Sequence, residues 1–438
     1  MKERISGYQL FMLAAVLYIN GGMISMFKTL AEVSRQDAWF NFIFSMLYAI
    51  LIAYLMYRLS VAYPGRNLFD ICEEVCGRRF GKLLNALLLV YTLHLLTRDL
   101  RMFGDFIGTA VLQRTPTEFI YLSSMLVLIY FATGSMEEFV RSVNVIFPIF
   151  VVNLLLLPLL LSNEIEYRNL QPFLSQGPAD IVKAGLLGTG WSGDVIVFGA
   201  FLNYFRHAKQ FYVSLKLGIV ASALVLTVLM LLSVSVLGTV TVARAMYPVY
   251  TLTEQINITD FLDRLDVLLI GFWMPAFLMK IITIYFCFLA GVSSMLKTGH
   301  MRGINVMSGW FILLLTLLSF KSVMEVYRFG NYGSLPVTLF VHVIFFGCVL
   351  TAFAWKRRGK RAGGDRASEG SGASEIGWRA ATCIALAALF AGSYTGHWYK
   401  AYGMAGAAVY AAAFVAIVAF SVAQFWSWNR IVRPPAGP

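Results

Sequence analysis

LFMLAAVLYINGGMISMF, residues 10–27, is an apolar run broken near its middle by Asn20-Gly21-Gly22. A second run, AGLLGTGWSGDVIVFGAF, residues 184–201, is broken from Gly188 to Gly193. A glycine-rich break frees backbone N–H and C=O groups that hydrocarbon cannot satisfy. Such breaks persist in a membrane only where they line a cavity or face protein. Two breaks at matching places in two halves of a chain point to a small-molecule site near the bilayer midplane.

Composition supports the membrane reading. The chain has 438 residues, 59% hydrophobic and 13% charged, with a mean hydropathy of +0.71. A soluble domain carries roughly 25% charged residues. The net charge of +12 is not read as a nucleic-acid surface, because Lys and Arg gather between apolar runs on alternate sides, as topology and anionic lipid require. The first apolar run continues past any signal-peptide core and reads as a span. The five cysteines lack metal-ligand spacing with histidine.

Ten core spans are expected, at about 7–33, 37–62, 83–112, 117–133, 140–163, 179–204, 211–238, 262–295, 304–320 and 336–355. Two more follow at about 378–394 and 403–427. The expected division is a ten-helix transporter-like core over 1–355, a basic and Gly/Ser-rich linker over 356–377, and two additional spans over 378–438. The positive loops hold Arg58, Arg66, Arg78, Arg79, Lys82, Arg206, Lys209, Lys216 and the Lys356–Arg361 cluster. These loops should be cytoplasmic, with both termini inside. The breaks then fall in spans 1 and 6. Five spans per half invert the second half relative to the first.

The order of several short motifs resembles a known family. ISGYQLF at 5–11, Gln36-Asp37-Ala38-Trp39, Tyr63-Pro64-Gly65-Arg66-Asn67-Leu68 and Thr115-Pro116 carry the resemblance. So do the spacing from Gly134 to Arg141 and the stretch Asn169-Leu170 to Pro172. Together they resemble the spore-germination receptor B-subunit (GerAB-type) family of the amino acid–polyamine–organocation transporter superfamily. The resemblance implies an all-α polytopic membrane protein with a LeuT-type 5+5 inverted repeat, broken helices 1 and 6, and a small molecule held between them. It implies A-type and C-type receptor subunits as partners, in a spore inner membrane or cell membrane. Two departures are visible. Asp194 stands where the family has a glutamate, and the two C-terminal spans are extra.

The candidate ligand residues are Asn20, Gly21, Gly22, Gly188, Thr189, Gly190, Trp191, Ser192, Gly193 and Asp194. Half-helix N-termini suit a carboxylate and freed carbonyls suit an ammonium, so a zwitterionic amino acid satisfies both. The alternative use of these small residues is close helix packing. Asp194 reads as an ammonium contact, a proton carrier or the N-cap of the second half of span 6. Lys280, mid-span 8, reads either as a stand-in for a coupling cation or as half of an internal ion pair, with Asp194 as one partner. His94, Arg98, Arg101 and Asp105 share one face of span 3, while Asp99 falls off it. That stripe reads as an internal polar pathway or, preferably, as a self-neutralising set with Arg101 pairing Asp105. No catalytic motif, cofactor site or metal site is read from the sequence. The leading reading is a germinant-sensing membrane subunit; the alternative is a free-standing, possibly proton-coupled amino acid permease.

Overall fold

The architecture is that of a computed structural model, which describes residues 5–24, 26–256, 265–297, 301–359 and 372–432. Asn257-Ile258-Thr259, which matches a glycosylation acceptor, and most of the linker lie outside the described residues.

Helix α1 (Gly7–Met23) starts at a reciprocal cap. Ser6 Oγ accepts from Gln9 N–H at 3.2 Å, and Gln9 Oε1 accepts from Ser6 N–H at 2.9 Å. Helix α2 (Met26–Ser34) completes the first span. A 3-10 turn, Arg35–Asn41, leads into α3 (Phe42–Ala62). Next comes α4 (Leu68–Cys76), the short amphipathic helix expected between spans 2 and 3. Asn67 caps it, and Gly77 ends it at φ 84°, a left-handed conformation that glycine adopts without strain. Helix α5 (Arg78–Phe106) runs into a π turn, Ile107–Val111. It is followed by α6 (Thr117–Phe131) and α7 (Met136–Leu160).

The second half opens with α8 (Pro178–Ser192), which passes directly into a 3-10 helix, Gly193–Tyr204. Then come α9 (Ala208–Arg244), kinked at Gly238, and the short α10 (Pro248–Thr253). Helices α11 (Leu265–Leu296), α12 (Met301–Leu318), α13 (Val323–Arg328) and α14 (Ser334–Gly359) complete the core. The extra pair is α15 (Ala373–Gly396) and α16 (Lys400–Val432).

Nine segments among the described residues are long and apolar enough to cross a membrane, and Thr117–Phe131 and Gly303–Leu318 are shorter apolar helices. The split first span supplies the twelfth segment. Burial sorts these helices into layers. Helix α1 and the 3-10 half of span 6 are buried almost all round and form the centre. On α7, by contrast, Val145, Ile149, Val152, Leu155 and Leu159 are exposed along the helix. A belt of apolar side chains facing outward suits lipid.

Helix α1 packs against α9, α11 and α7, and α8 packs against α3, α2 and α14. The C-terminal pair packs tightly on itself and lays α16 along α9. Its own contact uses glycine: a Cβ on Gly396 would meet Gly403 Cα at 2.7 Å, and one on Gly406 would meet Gly392 Cα at 2.7 Å. Tyr410 then fixes the pair to the core, its hydroxyl donating to Phe40 C=O at 3.3 Å and its ring edge-on to Phe40 at 4.9 Å.

Candidate functional site

The two interruptions differ from the sequence expectation in position and in kind. Helix α1 continues through Asn20, Gly21 and Gly22 and ends at Met23; the interruption falls one turn later, before Met26. Asn20 explains part of this, because its Nδ2 donates to Val16 C=O at 2.8 Å and ties the side chain to its own helix. In span 6 the helix continues through Gly188 and Gly190. The change at Gly193 is from α to 3-10 winding, not an unwound loop. A 3-10 run of 12 residues is unusual, since such runs rarely exceed 3–4 residues.

Most of the span 6 glycines make room for neighbouring helices. A Cβ on Gly190 would lie 2.7 Å from Leu335 N, and one on Gly193 would lie 2.2 Å from Thr338 Cγ2, both on α14. A Cβ on Gly188 would lie 2.3 Å from Ser45 Oγ on α3. Thr338 Oγ1 also donates to Gly190 C=O at 3.0 Å, so α14 grips the carbonyl next to the winding change. Gly21 is different: its nearest neighbours would be Lys280 Nζ at 3.7 Å and Trp191 C=O at 3.8 Å, ordinary contact distances.

Four charges meet beside this crossing, one pair from α5 and one residue each from spans 6 and 8. Arg98 Nε lies 2.8 Å from Asp99 Oδ1, and Arg98 Nη2 lies 2.9 Å from Asp194 Oδ2. Lys280 Nζ lies 2.7 Å from Asp99 Oδ2 and 3.2 Å from Asp194 Oδ2. The lysine contacts fall outside the direction of a regular hydrogen bond, so they act as ion pairs. All four side chains are at most 1% exposed. Two positive and two negative charges cancel, which is how a charged set survives at membrane depth. Arg98 also donates to Ser334 Oγ at 3.1 Å and lies 4.0 Å from the Trp191 ring centroid, with Lys280 5.1 Å from that centroid.

The ion-pair alternative for Lys280 is therefore seen, and Asp194 is one partner. Asp99, placed off the polar face by helical spacing, is the other. Only a fold that sets α11 against both neighbours of the α5 turn could reveal it. The N-cap alternative for Asp194 is not seen, because the 3-10 helix has no side-chain cap and the carboxylate is committed to Arg98 and Lys280.

The remaining α5 stripe separates from this network. Arg101 Nε pairs with Asp105 Oδ2 at 3.2 Å, as its spacing predicts. Asp105 also accepts from the Tyr121 hydroxyl, and Arg101 donates to Thr316 C=O at 3.3 Å. This second cluster staples α5 to α6 and α12. His94 stands edge-on to Phe329 at 5.3 Å.

Two cavities flank the interruptions. One, of about 10 Å³, lies between spans 1, 2, 6 and 7 against Tyr18, Gly22, Ser45, Gly188, Trp191 and Leu226. It holds about one water-sized body. The Tyr18 hydroxyl, Ser45 Oγ and Trp191 Nε1 around it are buried without a hydrogen-bond partner among the described residues. The other, of about 40 Å³, lies on the far side of the span 1 interruption against Met23, Phe106, Asn153, Tyr247, Thr253 and Trp273. It is roofed by α10 and its aromatic residues. Thr189 and Ser192 spend their hydroxyls on backbone carbonyls of their own helix.

No group of three metal-capable side chains comes together among the described residues. Cys72 and Cys76 sit on α4, where burial pushes both thiols above their usual range. Their sulfurs contact the carbonyls of Gly81 and Cys348 at 3.7 and 4.0 Å, as packing cysteines do.

The chain is 28% identical over 280 residues to the putative spore germination protein YfkT of Bacillus subtilis (strain 168), covering 64% of this chain and 76% of that one. It is 24% identical to spore germination protein KB of the same organism, over 83% of this chain and 98% of that one. Among solved structures, it is similar to Mhp1, a nucleobase-cation-symport-1 family transporter in a closed conformation with bromovinylhydantoin bound. That match has a TM-score of 0.63 at 12% identity and covers 96% of this chain and 94% of Mhp1. A manganese transporter of Eremococcus coleocola matches with a TM-score of 0.54 at 10% identity, over 97% of this chain and 96% of that one. These likenesses establish the fold: a LeuT-type 5+5 inverted repeat, with helix 1 in two pieces, helix 6 changing from α to 3-10 winding, and two further C-terminal helices. The model of the spore germination protein family matches residues 4–324, and the chain belongs to that family of integral membrane proteins.

Proposed function

We propose that this chain is the membrane subunit of a germinant receptor, binding a small nutrient, an amino acid in the leading reading, where spans 1 and 6 cross. The observation that carries this reading is the small cavity at that crossing. It is bounded by spans 1 and 6, its free surface is apolar, and Trp191 separates it from the charge-neutral network behind. A zwitterion brings both charges of its own and disturbs that neutrality least. The site is contracted at about 10 Å³, so a ligand must widen it. By linkage, a ligand that favours the widened state shifts the bundle toward it.

The element that moves is the second half of span 6. A 3-10 helix rises about 2.0 Å per residue against 1.5 Å for an α-helix, so rewinding Gly193–Tyr204 shortens it by about 6 Å. Asp194 rides on that segment and couples it to Arg98 and Lys280. A-type and C-type receptor subunits would read the displacement. The distribution of positive loops supports a cytoplasmic location for both termini in this scheme.

The permease alternative draws on the same network, because Asp99 and Asp194 share Lys280 and a proton arriving on either would loosen it. The test is reconstitution of the purified chain in liposomes with each of the twenty L-amino acids as substrate. Ligand binding without accumulation supports the receptor reading. Substrate-driven accumulation by the chain alone supports the permease and rules out the receptor-only scheme.

A further inference from the structure

The C-terminal pair does more than cover the core. Where it meets the start of α9 there is a cavity of about 120 Å³, at the end of the bundle where α9 and α15 begin and α16 finishes. Its walls include Lys209, Lys216, Ser374, Gln424 and Ser427.

Its two ammonium groups outnumber its one carboxylate among the described residues, that of Glu375. Lys216 is 2% exposed, donates to Gln424 Oε1 at 3.0 Å and lies 3.6 Å from the Trp378 ring centroid. Lys209 lies 4.7 Å from the Trp428 centroid. Among the described residues no carboxylate lies within ion-pair distance of either ammonium. The Gln424 amide nitrogen is buried and unpartnered, in a side chain only 8% exposed. Helix α15 begins in the cavity wall at Gly372, which offers no side-chain cap. Its first N–H groups therefore add their partial positive charge to the same space. The acidic wall residue, Glu375, is engaged by Arg379 at 2.6 Å.

Two lysines held on tryptophan faces and an uncapped helix N-terminus give this cavity an excess of positive charge among the described residues, Glu375 being the carboxylate in its wall. Its volume of about 120 Å³ suits a phosphate-sized group, since on the same measure one water needs about 10–15 Å³. We propose that this cavity binds a phosphate group, carried by an anionic phospholipid or as free phosphate, and that it thereby joins the C-terminal pair to the core. The location at the ends of three long apolar helices is the depth at which a lipid headgroup lies. All of its C-terminal wall lies beyond residues 4–324, the part matched by the family model.

The experiment uses the full-length chain purified in detergent, with phosphatidylglycerol, phosphatidylcholine or inorganic phosphate added. Retained lipid is counted by native mass spectrometry and melting is followed by scanning fluorimetry. Phosphatidylglycerol should be retained and raise the melting temperature, and phosphatidylcholine should do neither. Lys209→Gln should weaken retention about fivefold, the worth of one lysine near a charged headgroup. Lys216→Gln should weaken it further. Because a buried-site variant can misfold, Lys209→Gln combined with Ser427→Val on the rim carries the test independently. Stabilisation by inorganic phosphate with the same dependence on Lys209 would support the site and name the free anion as its source. Equal retention of both lipids with no phosphate effect, or retention unchanged in the well-folded rim variant, would overturn the proposal.

Discussion

Spans 1 and 6 were read from sequence as two versions of one feature, yet they are built in opposite ways. Span 1 is two separate helices, with cavities of about 10 and 40 Å³ on either side of their junction. Span 6 is wound throughout, with Gly190 and Gly193 pressed on α14 and Asp194 pinned by two cations. One break has a small cavity on each side and the other is clamped. A ligand at their crossing can displace the first cheaply, but it moves the second only by disturbing the network. That asymmetry is what a receptor needs if one element captures and the other reports.

The largest expected effect breaks the clamp. Asp194→Ala leaves two buried cations against one carboxylate, and breaking a buried pair from one side costs about 3–5 kcal/mol. The purified variant should melt far below wild type or fail to accumulate. Restoring neutrality with Asp194→Asn and Lys280→Met together should recover a large part of that loss. No recovery in the double variant would mean that the charges are not balanced as a set.

Next in size is Gly190→Ala. Its methyl group would meet Leu335 backbone at 2.7 Å, so α8 and α14 must separate, at a cost of about 1–3 kcal/mol. The counterpart in span 1 should behave oppositely. Gly21→Ala meets its neighbours at 3.7 Å or more inside a continuous helix, so it should be neutral or stabilising by up to about 1 kcal/mol. Melting temperatures of the two variants decide the matter, and equal losses would erase the distinction between the spans. The smallest effect is Thr338→Val, which removes the donor to Gly190 C=O and should cost about 1 kcal/mol.

Much of the fold was legible because lipid imposes simple rules. Span length, loop charge and the paired glycine runs point to twelve spans, the amphipathic α4 and an irregularity in both the first and the sixth span. The exact break points were not legible. Glycine in an apolar run signals unwinding, but Gly188, Gly190 and Gly193 serve close approach, and Gly21 and Gly22 remain helical. Helical spacing sets Asp99 off the polar stripe but cannot name its partner. Asp99 sits one residue from Arg98, yet the helix that receives it, α11, lies far off in sequence. Arg101 with Asp105 was legible because both partners lie on one helix. The role of α15 and α16 had no sequence signal, since the glycines that close the pair and Tyr410 that docks it act only through tertiary contact.

The most direct test of the central claim is calorimetric titration of the purified chain with the twenty L-amino acids, in wild type and in Gly22→Leu. The substitution fills the small cavity from the span 1 side, with its Cβ already 3.2 Å from Met26 Sδ. The account predicts that wild type binds at least one amino acid and that Gly22→Leu, still folded by its melting curve, binds none. Binding unchanged in a folded Gly22→Leu would contradict a ligand site at the crossing of spans 1 and 6.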